Sequence, residues 1–322
     1  MMKENLTLKQ VFDLFIDSGC THWAASTLAY YKKNLGYFVQ YAEQILNCNA
    51  DALLISDLPE NILVQYVIFL RRKLKYNNHP LKKSMSVDGT IKSNTVNTYT
   101  RAVKAFFNYL YTNHLIFTNY LEGLKLPRPD SDQIIPLLNK EVCAIDAVFN
   151  PLDLIDLRNL CMIHLMLDAG LRSGEVITLQ VKDIIFDANI IVINRGKGDK
   201  SRAVIMCPPL AALLHNYIEM SHPSGCLFKK VKNNERINQS VFKSLFLRIR
   251  RKTGIERLHP HLLRHTFATS YIMGGGNLET LRILMGHYDY SVTRKYLHLA
   301  SQNQILKTDI YRLDSIFFQK SY

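Results

Sequence analysis

The chain has 322 residues, 48% of them hydrophobic and 21% charged, which suits two folded domains with cores of their own and excludes a disordered chain. Lys and Arg number 40 against 27 Asp and Glu, a formal net charge of +13, so the expected partner is a polyanion, with nucleic acid ahead of a membrane surface. Cys20, Cys48, Cys143, Cys161, Cys207 and Cys226 are scattered without a Cys-x-x-Cys pair, and no apolar run approaches a membrane span; reduced thiols in a cytoplasmic protein are expected, with no metal site and no membrane.

From residue 6 to about 120 the pattern reads as helices without a strand. Thr27 is a candidate cap for a helix that turns Leu28, Tyr31, Leu35, Phe38 and Ala42 toward a core and leaves Lys32 and Lys33 elsewhere. A further helix begins near Ser93. Its apolar set is Val96, Tyr99, Val103, Phe106 and Leu110, and its opposite face carries Asn94, Thr98, Arg101 and Asn108; that face fits a DNA groove as well as it fits solvent. The charge is concentrated in two strips. Arg71 to Lys104 holds nine Lys or Arg against one Asp, and Lys229 to Arg257 holds ten against two Glu.

Pro127-Arg-Pro-Asp-Ser-Asp-Gln133 cannot continue a helix, so residues 126–136 read as a linker between domains at 1–125 and 137–322. Beyond it the periodicity predicts helices near 139–149 and 153–169, then strands at 184–186, 190–194 and 202–206, with Lys197 in the turn between the last two. Helices resume near Leu210, Gln239, Pro260 and Leu278, and Tyr296 follows on another short one. Gly274-Gly-Gly276 lacks the Gly-Lys-Ser/Thr continuation of a phosphate loop and reads as a helix stop. In the tail, 301–322, the residues Ile305, Leu306, Ile310, Leu313 and Phe317 recur at helical spacing. The expected fold is mainly α with a small antiparallel β-sheet.

The second domain carries a set of residues that packing does not explain: Arg172 in Ala169-Gly-Leu-Arg-Ser-Gly-Glu175, His261-Leu-Leu-Arg264-His265, Gly286-His287, and Tyr296. Attack on a DNA phosphodiester builds negative charge on the non-bridging oxygens, which planar guanidinium forks neutralise and orient; Arg172 and Arg264 fit as the two clamps. A phenol with a pKa of ~10 needs a neighbour to take its proton. His261 is the candidate base, His287 a second phosphate donor, and Lys197 the acid that protonates the leaving 5′ oxygen. Lys200 and Arg202 share the turn of Lys197 and are alternatives for contacting phosphate, Lys200 also for the acid. Tyr288, Tyr290 and Tyr322 are rivals for the nucleophile.

In order and spacing these residues resemble the tyrosine recombinase, or phage integrase, family: Gly-Leu-Arg-x-x-Glu at Arg172 and Glu175, a hairpin lysine at Lys197, His-x-x-Arg at His261 and Arg264, Gly-His at His287, and a tyrosine nine positions later at Tyr296. The likeness is strong over about 135–300 and by pattern alone before that. One departure is Tyr288-Asp289-Tyr290, where the family usually has a small polar residue after Gly-His. The resemblance implies a helical core-binding, SAM-like DNA-binding domain followed by a mixed α+β catalytic domain, with DNA contacts expected at Lys32, Lys33, Asn94, Thr98, Arg101, Lys200 and Arg202 and supporting roles at Glu175 and His265. It implies a 3′-phosphotyrosyl intermediate, a four-way junction, and a homotetramer on two DNA duplexes, or a heterotetramer with a paralogue, with no cofactor or metal. It also implies a C-terminal helix exchanged between subunits, whereas packing on its own domain is the default for such a tail. About 20 residues before the first long helix leave no room for an arm-binding domain, which favours a Xer-like resolvase or the integrase or transposase of a small mobile element. A type IB topoisomerase and a catalytically silent DNA-binding regulator are the competing readings.

Overall fold

The structure is a computed structural model that describes residues 6–74, 89–128, 134–194, 201–231, 233–305 and 309–311. The chain divides into two compact units, Met1–Asp132 and Gln133–Tyr322.

The first unit contains α1 (Leu8–Cys20), α2 (Ala25–Leu46), α3 (Ile62–Arg72) and α4 (Ser93–Thr112). The start of α1 is fixed by a reciprocal cap, in which the Gln10 amide donates to Thr7 Oγ1 at 3.2 Å and the Thr7 amide to Gln10 Oε1 at 2.9 Å. Thr27 does not cap α2. The Ala24 carbonyl accepts from the Thr27 and Leu28 amides, so the helix is already under way and Thr27 lies within its first turn. Leu35, Phe38 and Ala42 are buried as expected, while Leu28 and Tyr31 pack at the core's margin. Rings fill the centre: Phe38 meets Phe107 edge to face with centroids 5.5 Å apart. On α4, Val96, Val103, Phe106 and Leu110 are buried, whereas Asn94, Thr98, Arg101 and Asn108 are exposed. The amphipathic reading of this helix therefore holds except at Tyr99, which is half-buried at the core's margin.

The second unit contains α5 (Asn139–Asp146), α6 (Leu154–Leu167), α7 (Ser173–Thr178), α8 (Pro208–Ser221), α9 (Gln239–Thr253), α10 (Pro260–Met273), α11 (Leu278–Met285) and α12 (Tyr290–Ile305). Between α7 and α8 lie β1 (Ile184–Ile185), β2 (Ile190–Ile193) and β3 (Arg202–Ile205), an antiparallel sheet in the order β1-β2-β3 that pairs Ile191 with Val204. The fold is mainly α with one small antiparallel sheet, as the patterning predicts. Helix α6 is apolar around most of its circumference, with Leu157, Cys161, Met162, Ile163, Leu165, Met166 and Leu167 all buried, and it forms the centre of this unit's core. Gly274 ends α10, and Gly275 turns the chain at φ +90°.

Beyond α12 the described residues of the tail, 309–311, are extended and not helical. Residue Ile310 is buried in an extended bridge opposite Leu138, with the Tyr311 amide donating to the Leu137 carbonyl at 2.9 Å. The Tyr311 hydroxyl donates to Asp168 Oδ1 at 2.8 Å, and the other Asp168 oxygen lies 2.7 Å from Nδ1 of His164, whose Nε2 is 3.1 Å from Asp146. Burial opposes a charge on His164, but the two aspartates win and raise its pKa to about 10. The described part of the tail thus packs on its own chain; Leu306, Leu313 and Phe317 lie outside the described residues.

Candidate active site

Three short elements position the candidate residues: the α6–α7 turn, the first turns of α10, and the stretch from the end of α11 into α12. The chain leaves α6 through Gly170 at φ +67°, where an added Cβ would lie 2.6 Å from the Phe267 ring. This left-handed turn delivers Arg172 to the position that precedes α7. Glu175, three residues on, reaches back to the Arg172 amide at 2.8 Å and to its guanidinium at 3.0 Å. One carboxylate therefore caps a helix and orients an arginine.

The same carboxylate takes a second arginine. Arg202 donates from Nη1 and Nη2 to the two Glu175 oxygens, both at 2.8 Å, and its side chain is only 5% exposed. This corrects the expectation that Arg202 contacts DNA: its fork is used inside the protein. Burial pushes the Glu175 pKa up, but Arg202 first and Arg172 after it hold it down at about 2.

The C-terminus of α11 gathers all three guanidinium groups. Carbonyls in a helix's last turn lack intrahelical donors and carry the negative end of its dipole. Here Leu284 accepts from Arg202 Nε at 2.8 Å, Met285 from Arg264 Nη2, and Gly286 from Arg172 Nη2 at 3.0 Å. Gly286 itself ends the helix in the left-handed region at φ 57°. Arg264, 4% exposed on α10, also donates from Nη1 to the Gly170 carbonyl. Desolvation and the neighbouring Arg172 lower its pKa to about 9, which leaves it charged at neutral pH. Each Nη carries two hydrogens, so these bonds fix the forks without using every donor.

Tyr296 lies against this cluster, 4% exposed. The His287 ring stacks on it with centroids 6.4 Å apart and planes 7° from parallel. His287 Nδ1 is 2.9 Å from the hydroxyl of Thr293, a fully buried residue, and its Nε2 is 3.4 Å from Arg264 Nη2. The sequence reading missed Thr293; its place six residues after His287, on the inner face of the helix that carries Tyr296, was the available signal. Desolvation and the charge of Arg264 lower the His287 pKa to about 4. The ring bonded to the phenol is His265: its Nδ1 lies 2.7 Å from the Tyr296 oxygen. His261, the expected base, is exposed on the first turn of α10, with its pKa lowered by desolvation and then by His259, Arg264 and Arg172. Desolvation raises the Tyr296 phenol to about 12, against the opposing pull of Arg264 and Arg172.

Of the rival tyrosines, Tyr288 is fully exposed at 102% and Tyr290 at 49%, so neither shares this environment. Tyr322, Lys197 and Lys200 lie outside the described residues. The structure brings together Arg172, Glu175, Arg264, His265, His287 and Tyr296.

The family model for the phage integrase family matches residues 137–303, which span every described member of this cluster. The chain belongs to the phage integrase family. As an integrase-family enzyme it breaks and rejoins DNA in site-specific recombination. It is similar to a tyrosine recombinase of Thermosipho africanus, 29% identical over 92% of this chain and 98% of that one. It is also similar to the tyrosine recombinase XerC of Chlamydia caviae, 30% identical over 62% of this chain and 65% of that one. Among solved structures, the Tn1549 transposon integrase in complex with circular intermediate DNA shares the fold, with a TM-score of 0.69 and 18% identity over 93% of this integrase-family chain and 99% of that one.

In the first unit, Tyr30, Lys33 and Asn34 of α2 and Asn94, Thr98 and Tyr99 of α4 line one groove of about 550 Å³. Lys32 and Arg101 are exposed on the same two helices. Among the described residues, no helix is long and apolar enough to cross a membrane.

Proposed function

We propose that Tyr296 attacks a backbone phosphate of a recombination site, forming a 3′-phosphotyrosyl bond and releasing a 5′ hydroxyl. Arg172 and Arg264 take the non-bridging oxygens, His287 donates to one of them, and His261 borders the same phosphate. Lys197, or Lys200 in its place, protonates the departing 5′ oxygen. The freed hydroxyl then attacks the matching bond in a partner duplex; because the phosphotyrosyl link conserves the bond energy, neither nucleotide hydrolysis nor a metal is needed. Two such exchanges through a four-way junction, in a tetramer on two duplexes, complete the reaction. The tetramer is of this chain alone or mixed with a paralogue.

One observation carries this reading. Two guanidinium groups anchored on consecutive carbonyls, Met285 and Gly286, converge on a stacked His287 and Tyr296. That arrangement holds positive charge where a pentacoordinate phosphate develops negative charge. The first unit acts as the core-binding domain, gripping DNA with Lys32, Lys33, Asn94, Thr98 and Arg101, and the second is the catalytic domain; the enzyme works where the cell keeps its DNA, in the cytoplasm.

The test is covalent trapping on nicked duplexes drawn from the genomic surroundings, without metal, beside Tyr296→Phe. A denaturation-resistant adduct that requires Tyr296 is expected. An equal adduct in Tyr296→Phe removes Tyr296 as nucleophile, and tight binding of the same DNA with no adduct in the wild type points to a recombinase that needs its partner or to a DNA-binding regulator.

A further inference from the structure

Building on Tyr296 as the nucleophile, we propose that His265, and not His261, accepts the phenolic proton when Tyr296 attacks, and so acts as a catalytic residue of the cleavage step. The geometry names it. His265 Nδ1 is 2.7 Å from the Tyr296 oxygen, within the range that proton transfer requires, and the two rings lie 5.6 Å apart at 44°. His261 sits one helical turn earlier and is exposed.

The position is constrained from both sides. His265 follows Arg264 directly on α10, so a phosphate held by Arg264 draws the nucleophile to the helix that carries the acceptor. The Tyr296 side chain comes from α12, which packs along α10. The groups facing the His265 ring are His259, His261 and Arg264 from α10 and its cap, Lys295 and Tyr296 from α12, and His287 before it. All but the phenol are basic. Desolvation, and after it His261, His259, Arg264 and Lys295, lower the His265 pKa to about 4, so at neutral pH the ring is uncharged and has one nitrogen able to accept.

The step balances. The phenolic O–H proton moves to Nδ1 of His265 as the Tyr296 oxygen forms its bond to phosphorus and the bond from phosphorus to the 5′ oxygen breaks. That oxygen takes a proton from the general acid. In rejoining, the attacking 5′ hydroxyl returns its proton to the deprotonated general acid as its oxygen bonds to phosphorus, and the departing phenolate recovers its proton from the His265 imidazolium, so the enzyme ends in its starting protonation state. A cationic ring amid arginines is costly, and the cost is met by the doubly charged phosphorane beside it.

The experiment compares His265→Gln, His261→Gln and wild type in adduct formation on nicked DNA, using a normal 5′ oxygen and a 5′ sulfur leaving group. A thiolate leaves without a proton, so sulfur rescues loss of an acid and does not rescue loss of a base. Expected for His265→Gln is a loss of about 10²- to 10⁴-fold at unchanged DNA affinity. Sulfur should not rescue it, and the residual rate should climb with pH as the phenol ionises. A loss under about threefold, or full rescue by sulfur, overturns the assignment. Ring ¹⁵N shifts of the wild-type protein give a second reading that does not depend on the variant folding. An Nδ1 acceptor whose shift moves in Tyr296→Phe is expected, and an Nδ1–H tautomer overturns the proposal. An adduct that persists in Tyr296→Phe would instead defeat Tyr296 as nucleophile, while the ring shifts would still report the pairing.

Discussion

Glu175 holds more of the site than its neighbours in sequence suggest. It accepts from the Arg172 amide and guanidinium and from both Nη atoms of Arg202. Replacing it with Gln leaves Arg202, 5% exposed, as an uncompensated buried charge, so Glu175→Gln should destabilise the second unit by about 3–5 kcal/mol in denaturant melts. It should also loosen Arg172 enough to slow adduct formation. The pH dependence follows from the sign of the shift. The folded pKa, about 2, lies below the ordinary carboxylate value of 4.5, so the stabilisation is fully present above about 4.5 and is lost as pH falls toward 2. An acid titration of stability that shows no difference between wild type and Glu175→Gln in that window would contradict this account. Of the residues proposed to hold the phosphate, Arg172→Ala and Arg264→Ala should each reduce cleavage by about 10²- to 10³-fold at saturating DNA, measured by single-turnover adduct formation.

At the level of elements, the site depends on how helices end. Helix α6 gives way to α7 through Gly170, whose carbonyl accepts from Arg264 and whose missing Cβ makes room for the Phe267 ring. Gly170→Ala combines φ +67° with a contact at 2.6 Å, and should cost about 1–3 kcal/mol of stability along with much of the activity. Gly174→Ala, where an added Cβ meets nothing within 4 Å, is the matched control. The tail is tied to the same region through Tyr311, Asp168 and His164. The folded pKa of His164, about 10, exceeds its ordinary 6.5, so its contribution is complete below about 6.5 and disappears as pH rises through 10. Melting temperature should therefore decline across that interval in the wild type, and the decline should flatten in His164→Gln.

For the whole molecule, charge and division into two cores matter most. Each unit has its own buried cluster, so residues 1–132 and 133–322 expressed separately should each melt cooperatively. With a net charge of +13, DNA affinity should fall steeply with salt. Lys33→Ala or Arg101→Ala should reduce the slope of log K against log salt by about one, through loss of a single phosphate contact. Arg202→Ala should leave that slope unchanged and lower stability instead, because its guanidinium is spent on Glu175 and Leu284.

Much of this was legible in the chain itself. Periodicity located α4 and its exposed face, the sheet strands to within a residue at their ends, and the helices carrying Arg264 and Tyr296, because apolar spacing is a local property that burial enforces. The order and spacing of Arg172, Glu175, His261, Arg264, His287 and Tyr296 carried the resemblance to the tyrosine recombinase family, and the match of residues 137–303 to the phage integrase family agrees with it. Tertiary structure decided the partnerships. That Arg202 turns inward to Glu175, that the last two carbonyls of α11 and that of its cap Gly286 each take a guanidinium, that His265 and not His261 meets the phenol, and that Ile310 pairs with Leu138 all depend on contacts between segments distant in sequence. A side chain's neighbours across the fold are set by packing, which leaves no periodic trace in the sequence.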